Sequence, residues 1–249
     1  MSSNIFSFNI ENFYLSSIKE NYLNMKEEEA KPFDINSYLI SIETRKNMIN
    51  WLIFLCKTLN FTNQTLFHAI SLFDQYLSKI SLIELEEMTQ NKLNLITIAC
   101  LSLSTKLDEI NCNFISFLND KVLNTPNEKI FTNKDLTKME LTILKTLKYK
   151  TIYSTPIDFI DIYLEIFKKI LGKNESFMTQ QMISIIKNTS INILKDNVIN
   201  ENYLTNNASH FAYLCFIQSL NQISMMNSFC FKRLEKIILI FKYQFANIF

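Results

Sequence analysis

The sequence predicts an all-α protein: an N-terminal helix followed by two tandem helical domains. Three observations predict it. Apolar residues recur at helical spacing along most of the chain. There is one glycine and there are three prolines in 249 residues, too few for the tight turns of a hairpin-rich sheet fold. The helical segments also come in two sets, separated by a short extended link over 150–154. The chain is 48% hydrophobic and 13% aromatic, enough for sizeable cores, which excludes global disorder.

The first helix spans 10–25, with Ile10, Phe13, Tyr14, Ile18, Tyr22 and Met25 at helical spacing. Glu27-Glu28-Glu29 and Lys31-Pro32 break the pattern, so 26–42 reads as a linker and 1–42 as a segment of its own. The first domain covers 43–150. Its opening helix shows Met48, Trp51, Leu52, Leu55, Cys56 and Leu59 on one face. Thr62 or Asn63 caps the second, which carries Leu66, Ile70, Phe73 and Leu77. The third, Lys92 to Lys106, is apolar nearly all round and is therefore the central helix of the domain. A short fourth covers Phe114 to Leu123. The fifth opens on the capping-box-like Thr132-Asn133-Lys134-Asp135 and runs to Leu147, with Leu136, Met139, Ile143, Leu144 and Leu147 inward.

The second domain covers 151–249. Thr155-Pro156-Ile157-Asp158 supplies an N-cap, a first-turn proline and an early acid, and Gly172 stands where a left-handed C-cap is wanted. Phe159, Ile160, Tyr163, Leu164, Phe167 and Ile170 lie between. Further helices are expected at 177–195, 203–221 and 229–247. Their inward candidates are Ile185, Ile186, Ile193, Phe211, Leu214, Cys215, Leu234, Ile237, Ile238 and Phe241, and 208–214 is the candidate for a buried central helix.

Composition excludes several functions. A phosphate-cradling loop needs several glycines, and Gly172 is alone. The 25 basic and 24 acidic residues balance to +1, without the basic excess of a nucleic-acid binder. Cys56, Cys100, Cys112, Cys215 and Cys230 form no C-x-x-C pair and read as reduced thiols. No signal-peptide pattern opens the chain, and its longest apolar run is too short to span a bilayer; an intracellular protein is expected. His68 and His210 both fall in helical segments and read as structural. Asp108 and Glu109 read as solvated helix-end acids. No nucleophile elbow or metal pattern is present, so neither enzymatic activity, cofactor, metal nor small-molecule substrate is expected.

Two stretches then stand out, Ser104-Thr105-Lys106-Leu107-Asp108-Glu109 and Lys138-Met139-Glu140-Leu141-Thr142-Ile143-Leu144. Arg45 to Leu52, Phe73-Asp74-Gln75-Tyr76-Leu77, Phe131 to Glu140 and Tyr153 to Phe159 join them in a spaced series. The series resembles the cyclin box: its opening helix with Arg and Trp, its second-helix signature, the "A-S-K-[FY]-E-E" end of its third helix, its fifth helix, and the "P-T-x-x-x-F" opening of a second box. The match is clear over about 40–165. Residues 10–25 resemble the N-terminal helix of mitotic-type cyclins.

The resemblance implies two five-helix cyclin-box-like domains and a non-enzymatic activator that pairs with a cyclin-dependent kinase in cell-cycle control, in the nucleus or cytoplasm. It implies that Lys106 and Glu140 hydrogen-bond backbone groups beside the kinase's αC helix, with Leu107, Leu144 and Tyr149 as apolar ground, and that Arg45 and Asp74 form an internal salt bridge. The substrate-docking patch of many cell-cycle cyclins is altered: Thr44, Asn47 and Met48 replace its Met, Ile and Leu, so Met48 and Trp51 are its vestige. Lys19-Glu20-Asn21 matches a KEN degradation triplet, but within a predicted helix. The alternative is a cyclin-fold scaffold or transcription-associated protein without kinase activation. Balanced charge and the absence of a zinc ribbon ahead of the first box count against a transcription factor role, and the presence of both Lys106 and Glu140 counts against a scaffold without a kinase.

Overall fold

A computed structural model of the chain describes residues 16–33, 40–81, 86, 88–109, 132–171, 177–226 and 239–243. All regular structure among them is helical: α1 over 16–28, α2 Ile42–Leu59, α3 Asn63–Leu77, α4 Gln90–Asp108, α5 Asn133–Thr146, α6 Pro156–Leu171, α7 Phe177–Asn197, α8 Glu201–Thr205, α9 Ala208–Met226 and α10 over 239–243. The all-α class holds. The expected fourth helix of the first domain, Gly172, Cys112, Cys230 and the inward candidates Leu234, Ile237 and Ile238 lie outside the described residues, as do Ile10, Phe13 and Tyr14.

The helices fall into two compact units. The first holds α2 to α5 with residues 197–207, and the chain leaves it between Thr155 and Pro156. Four of its helices start on a hydroxyl: Ser41, Thr62, Thr89 and Thr132 each accept a hydrogen bond from the backbone N–H three residues on. Such caps satisfy donors that the first turn would leave unpaired, and each contributes about 1 kcal/mol. Thr132 and Asp135 complete a capping box, which holds the Asp135 carboxyl below its ordinary value. α4 is the core helix, packed on α3 and α5. Every residue from Ile96 to Thr105 is buried, and three of the four hydroxyl side chains among them bond carbonyls of their own helix: Thr97 Oγ1 to Leu93, Ser104 Oγ to Cys100, Thr105 Oγ1 to Ser102.

Arg45 on α2 has no exposed surface. Its Nε and Nη2 each donate at 2.8 Å to one oxygen of Asp74 on α3, and its Nη1 donates at 2.8 Å to the Val198 carbonyl. The Tyr203 ring of α8 lies 5.3 Å from the guanidinium carbon. Burial and the Asp74 charge push the Tyr203 phenol up, against the opposing pull of Arg45. Residues 197–207 thus join this unit, although in sequence they come after α6 and α7 of the other unit.

The second unit holds α1, α6, α7, α9 and α10. Tyr22 of α1 meets Phe159 edge-on at 5.6 Å, and the Tyr163 hydroxyl donates to the Ser209 carbonyl at 2.8 Å. Phe167, Phe216 and Phe241 form an aromatic cluster. α1 runs through Glu27 and Glu28, past the expected end at 25, because glutamate is a good helix former and the breaking residues come later, at Lys31-Pro32. The expected 203–221 helix is two helices. The Asn206 side chain donates to the Asn202 carbonyl at 2.7 Å, ending α8, and Glu29 accepts from the Ser209 N–H at 2.9 Å, starting α9 afresh.

Ile185 and Leu214, expected inward, are about half exposed. Serines take the buried positions instead: Ser190 and Ser219 bond each other at 2.7 Å while donating to or sharing bonds with helix carbonyls. A pattern that counts serine as polar sets the buried face in the wrong place. Cys56, Cys100 and Cys215 are buried thiols outside any disulfide, and burial pushes that of Cys215 up to about 12.

Candidate functional site: the α4–α5 end

The last turn of α4 and the face of α5 beside it carry an ion pair. Lys106 Nζ donates to Glu140 Oε1 at 2.6 Å and to Oε2 at 2.7 Å. The two partners differ in environment: the Lys106 side chain is 58% exposed and that of Glu140 only 10%. Glu140 is therefore a carboxylate held near the surface but largely out of water, and it needs its bonds. Ser102, one turn before Lys106 and fully buried, supplies a third, donating to Oε1 at 2.6 Å.

A carboxylate has about four acceptor sites and an ammonium three donors. Ser102 and Lys106 occupy both sites on Oε1 and one on Oε2. The pair retains acceptor capacity on Oε2 and donor capacity on the exposed ammonium, side by side. That combination matches one N–H and one C=O of a peptide backbone.

Apolar surface flanks the pair. Leu107 is 45% exposed and Tyr149 65%. Leu141, next to Glu140, is as exposed as Leu107, and Leu144 is half-buried one turn beyond Glu140 on the same side of α5. The end of α5 forms a Schellman turn: the Tyr149 N–H donates to the Leu144 carbonyl at 2.7 Å and the Lys148 N–H to that of Lys145 at 3.0 Å. Lys148 takes the left-handed position usual for this turn, with φ 53°. Tyr149 is left-handed as well, with φ 61°, a conformation the turn does not require. Two successive non-glycine residues there cost about 1–2 kcal/mol each, and such strain concentrates at functional surfaces.

The two acids after Lys106 are part-buried and hydrogen-bonded, where their sequence reading has them as solvated helix-end charges. Asp108 sits 2.8 Å from Nδ1 of His68 on α3, whose Nε2 faces the Gln64 amide at 3.3 Å. The Glu109 side chain accepts from the Thr62 N–H at 2.7 Å and the Thr65 hydroxyl at 2.6 Å. Partial burial opposes the Glu109 charge, but these bonds prevail and hold its carboxyl below the ordinary value. Both acids tie the end of α4 to the start of α3.

Of the residues singled out from sequence, Lys106 and Glu140 meet, Leu107, Leu144 and Tyr149 lie at the same helix ends, and Arg45 and Asp74 are bonded to each other in the core. Met48 is buried and Trp51 half-buried, and of the replaced positions in the altered docking patch Thr44 is half-buried and Asn47 exposed. Lys19, Glu20 and Asn21 are exposed on α1. Sequence reasoning missed Ser102, Leu141 and the roles of His68, Asp108 and Glu109; the one available signal for Ser102 was its place four residues before Lys106 on an apolar helix. Among the described residues no group of His, Cys, Asp and Glu side chains could hold a metal ion. No helix among them is long and apolar enough to cross a membrane.

An all-α fold with a central buried helix and a charged pair at its end resembles a cyclin box. The family model described as "Cyclin, N-terminal domain" matches residues 9–152, more than half of the chain. The chain belongs to the cyclin family. Cyclin-D2-2 of Oryza sativa subsp. japonica is 30% identical over 152 residues, 61% of this chain and 39% of its own. Cyclin-B2-1 of Arabidopsis thaliana is 27% identical over 154 residues, 61% of this chain and 33% of its own. The chain thus spans well under half the length of these curated relatives. A viral cyclin from herpesvirus saimiri shares the fold, with a TM-score of 0.57 at 19% identity, covering 94% of this chain and 97% of its own.

Proposed function

We propose that the chain is the regulatory subunit of a cyclin-dependent Ser/Thr kinase, docking on the kinase's αC helix through the α4–α5 end and serving cell-cycle control. In this reading residues 43–150 form the N-terminal cyclin box and 151–249 a second cyclin-like domain. The observation that carries it is the preformed Lys106–Glu140 pair, with donor and acceptor capacity left over beside the exposed Leu107 and Tyr149. The ammonium and carboxylate would bond backbone groups next to αC, as charge-assisted bonds, while Leu107, Leu144 and Tyr149 pack on the helix. Docking shifts αC toward the position in which its glutamate pairs with the β3 lysine. The chain supplies differential affinity for the active kinase conformation and no reacting atom.

The test is affinity purification of the full chain from its own cells, with identification of the proteins it retains. A cyclin-dependent kinase catalytic subunit is expected. Changing Lys106 and Glu140 together to alanine removes bonds worth roughly 2–4 kcal/mol in total, a loss of about 30- to 1,000-fold in affinity. Retention of no such kinase, or unchanged binding by the double variant, refutes the reading.

A further inference from the structure

Ser102 is buried in the middle of α4, yet its hydroxyl does not turn back to its own helix as those of Thr97, Ser104 and Thr105 do. It crosses to α5 and donates to Glu140 Oε1 at 2.6 Å, the same oxygen that Lys106 Nζ reaches at 2.6 Å. We propose that Ser102 is a positioning residue: it aims the Glu140 carboxylate so that the open acceptor site lies on Oε2, facing a docked partner. This inference rests on the docking reading above.

The torsion that turns a glutamate carboxylate is broad and nearly two-fold, so it selects no orientation by itself. Lys106 contacts both oxygens at nearly equal distances, 2.6 and 2.7 Å, and its exposed ammonium can follow the carboxylate as it turns. Ser102 alone distinguishes the two oxygens, and it approaches from the buried side. Its hydroxyl also fills an acceptor site that would otherwise be buried without a donor. With Ser102 in place, the carboxylate is oriented before the partner arrives and ordering it costs nothing on binding. Ser102 never touches the partner; it acts through Glu140.

The experiment uses the full chain and the cyclin-dependent kinase catalytic subunit that the wild-type chain retains, with affinity and melting temperature measured on each variant. Ser102→Ala is expected to weaken binding roughly five- to tenfold. Ser102→Thr, which keeps the hydroxyl, is expected to restore binding to within about twofold of wild type, whatever its melting temperature. Should the added methyl prevent folding, Ser102→Ala in the Glu140→Gln background decides: acting through Glu140, it is expected to cost less than about twofold there. Wild-type affinity in Ser102→Ala, or a full five- to tenfold loss persisting in the Glu140→Gln background, overturns the positioning role. If Glu140→Ala weakens binding while Ser102→Ala does not, this inference alone fails; if Glu140→Ala binds as wild type, the docking reading itself fails.

Discussion

Replacing Asp74 with alanine tests the account of the first unit's core most severely. The substitution removes two carboxylate acceptors from a guanidinium that has no exposed surface, while the bond to the Val198 carbonyl at 2.8 Å and the face of Tyr203 remain. Stranding one charge of a buried pair costs about 3–5 kcal/mol, a large part of a typical total of about 5–15 kcal/mol. With a urea dependence near 2 kcal/mol per molar, the midpoint falls by roughly 2 M. Trp51, the single tryptophan, sits on α2 with Arg45, so its fluorescence reports this unit during urea unfolding. Changing Arg45 to Met and Asp74 to Leu together removes both charges and is expected to recover about 2 kcal/mol of the loss, because well-packed apolar side chains can replace a buried pair. Recovery stays incomplete: the Val198 carbonyl loses its donor, at about 1–3 kcal/mol. A loss below about 1 kcal/mol for Asp74→Ala, or a double variant no better than the single one, refutes the reasoning.

Tyr149→Gly separates stability from binding. It relieves a left-handed residue, at about 1–2 kcal/mol, against the added freedom of glycine in the unfolded chain, at about 0.5–1 kcal/mol. A net gain of about 0.5–1 kcal/mol in denaturation and a weaker hold on the kinase are therefore expected together; loss of stability would show that the conformation is not strained. Glu109→Gln tests the tie to α3 through pH. Because the folded state holds the Glu109 carboxyl below its unfolded value of about 4.3, its contribution is complete above that value and fades as pH falls through the lower folded one. The variant is expected to be less stable than wild type near neutral pH, with the two stability curves converging in acid. Curves that stay parallel would show that Glu109 contributes no such linkage.

Legibility varied with the kind of signal. Thr132-Asn133-Lys134-Asp135 announced a capping box because the motif is local, and Thr62 was one of two residues considered as the cap of α3. Ser41 and Thr89 make the same bond but lack a confirming acid three residues on, and they passed unnoticed. The central character of α4 was readable because apolar residues surround it. Serine defeated periodicity elsewhere: Ser190 and Ser219 are buried through hydroxyl bonds, and Ile185 and Leu214 consequently face outward. The break at Asn206-Asn207 was unreadable because helical spacing alone does not register a side chain bonding back to Asn202 or a carboxylate supplied by Glu29.

Local chemistry therefore determined most of what the sequence told by itself: the helical class, the buried third helix of the box, a helix start on Thr132, and a spaced series of residues that resembles the cyclin box. These depend on spacing of a few residues, which the chain carries in linear order. The tertiary structure decided which distant groups meet. It set Glu140 under both Lys106 and Ser102, bound Asp108 and Glu109 to α3, and closed Val198 and Tyr203 over Arg45. Each of these contacts joins residues 34 or more positions apart. No periodicity spans such distances; only packing, and the cost of burying a polar group without a partner, selects them.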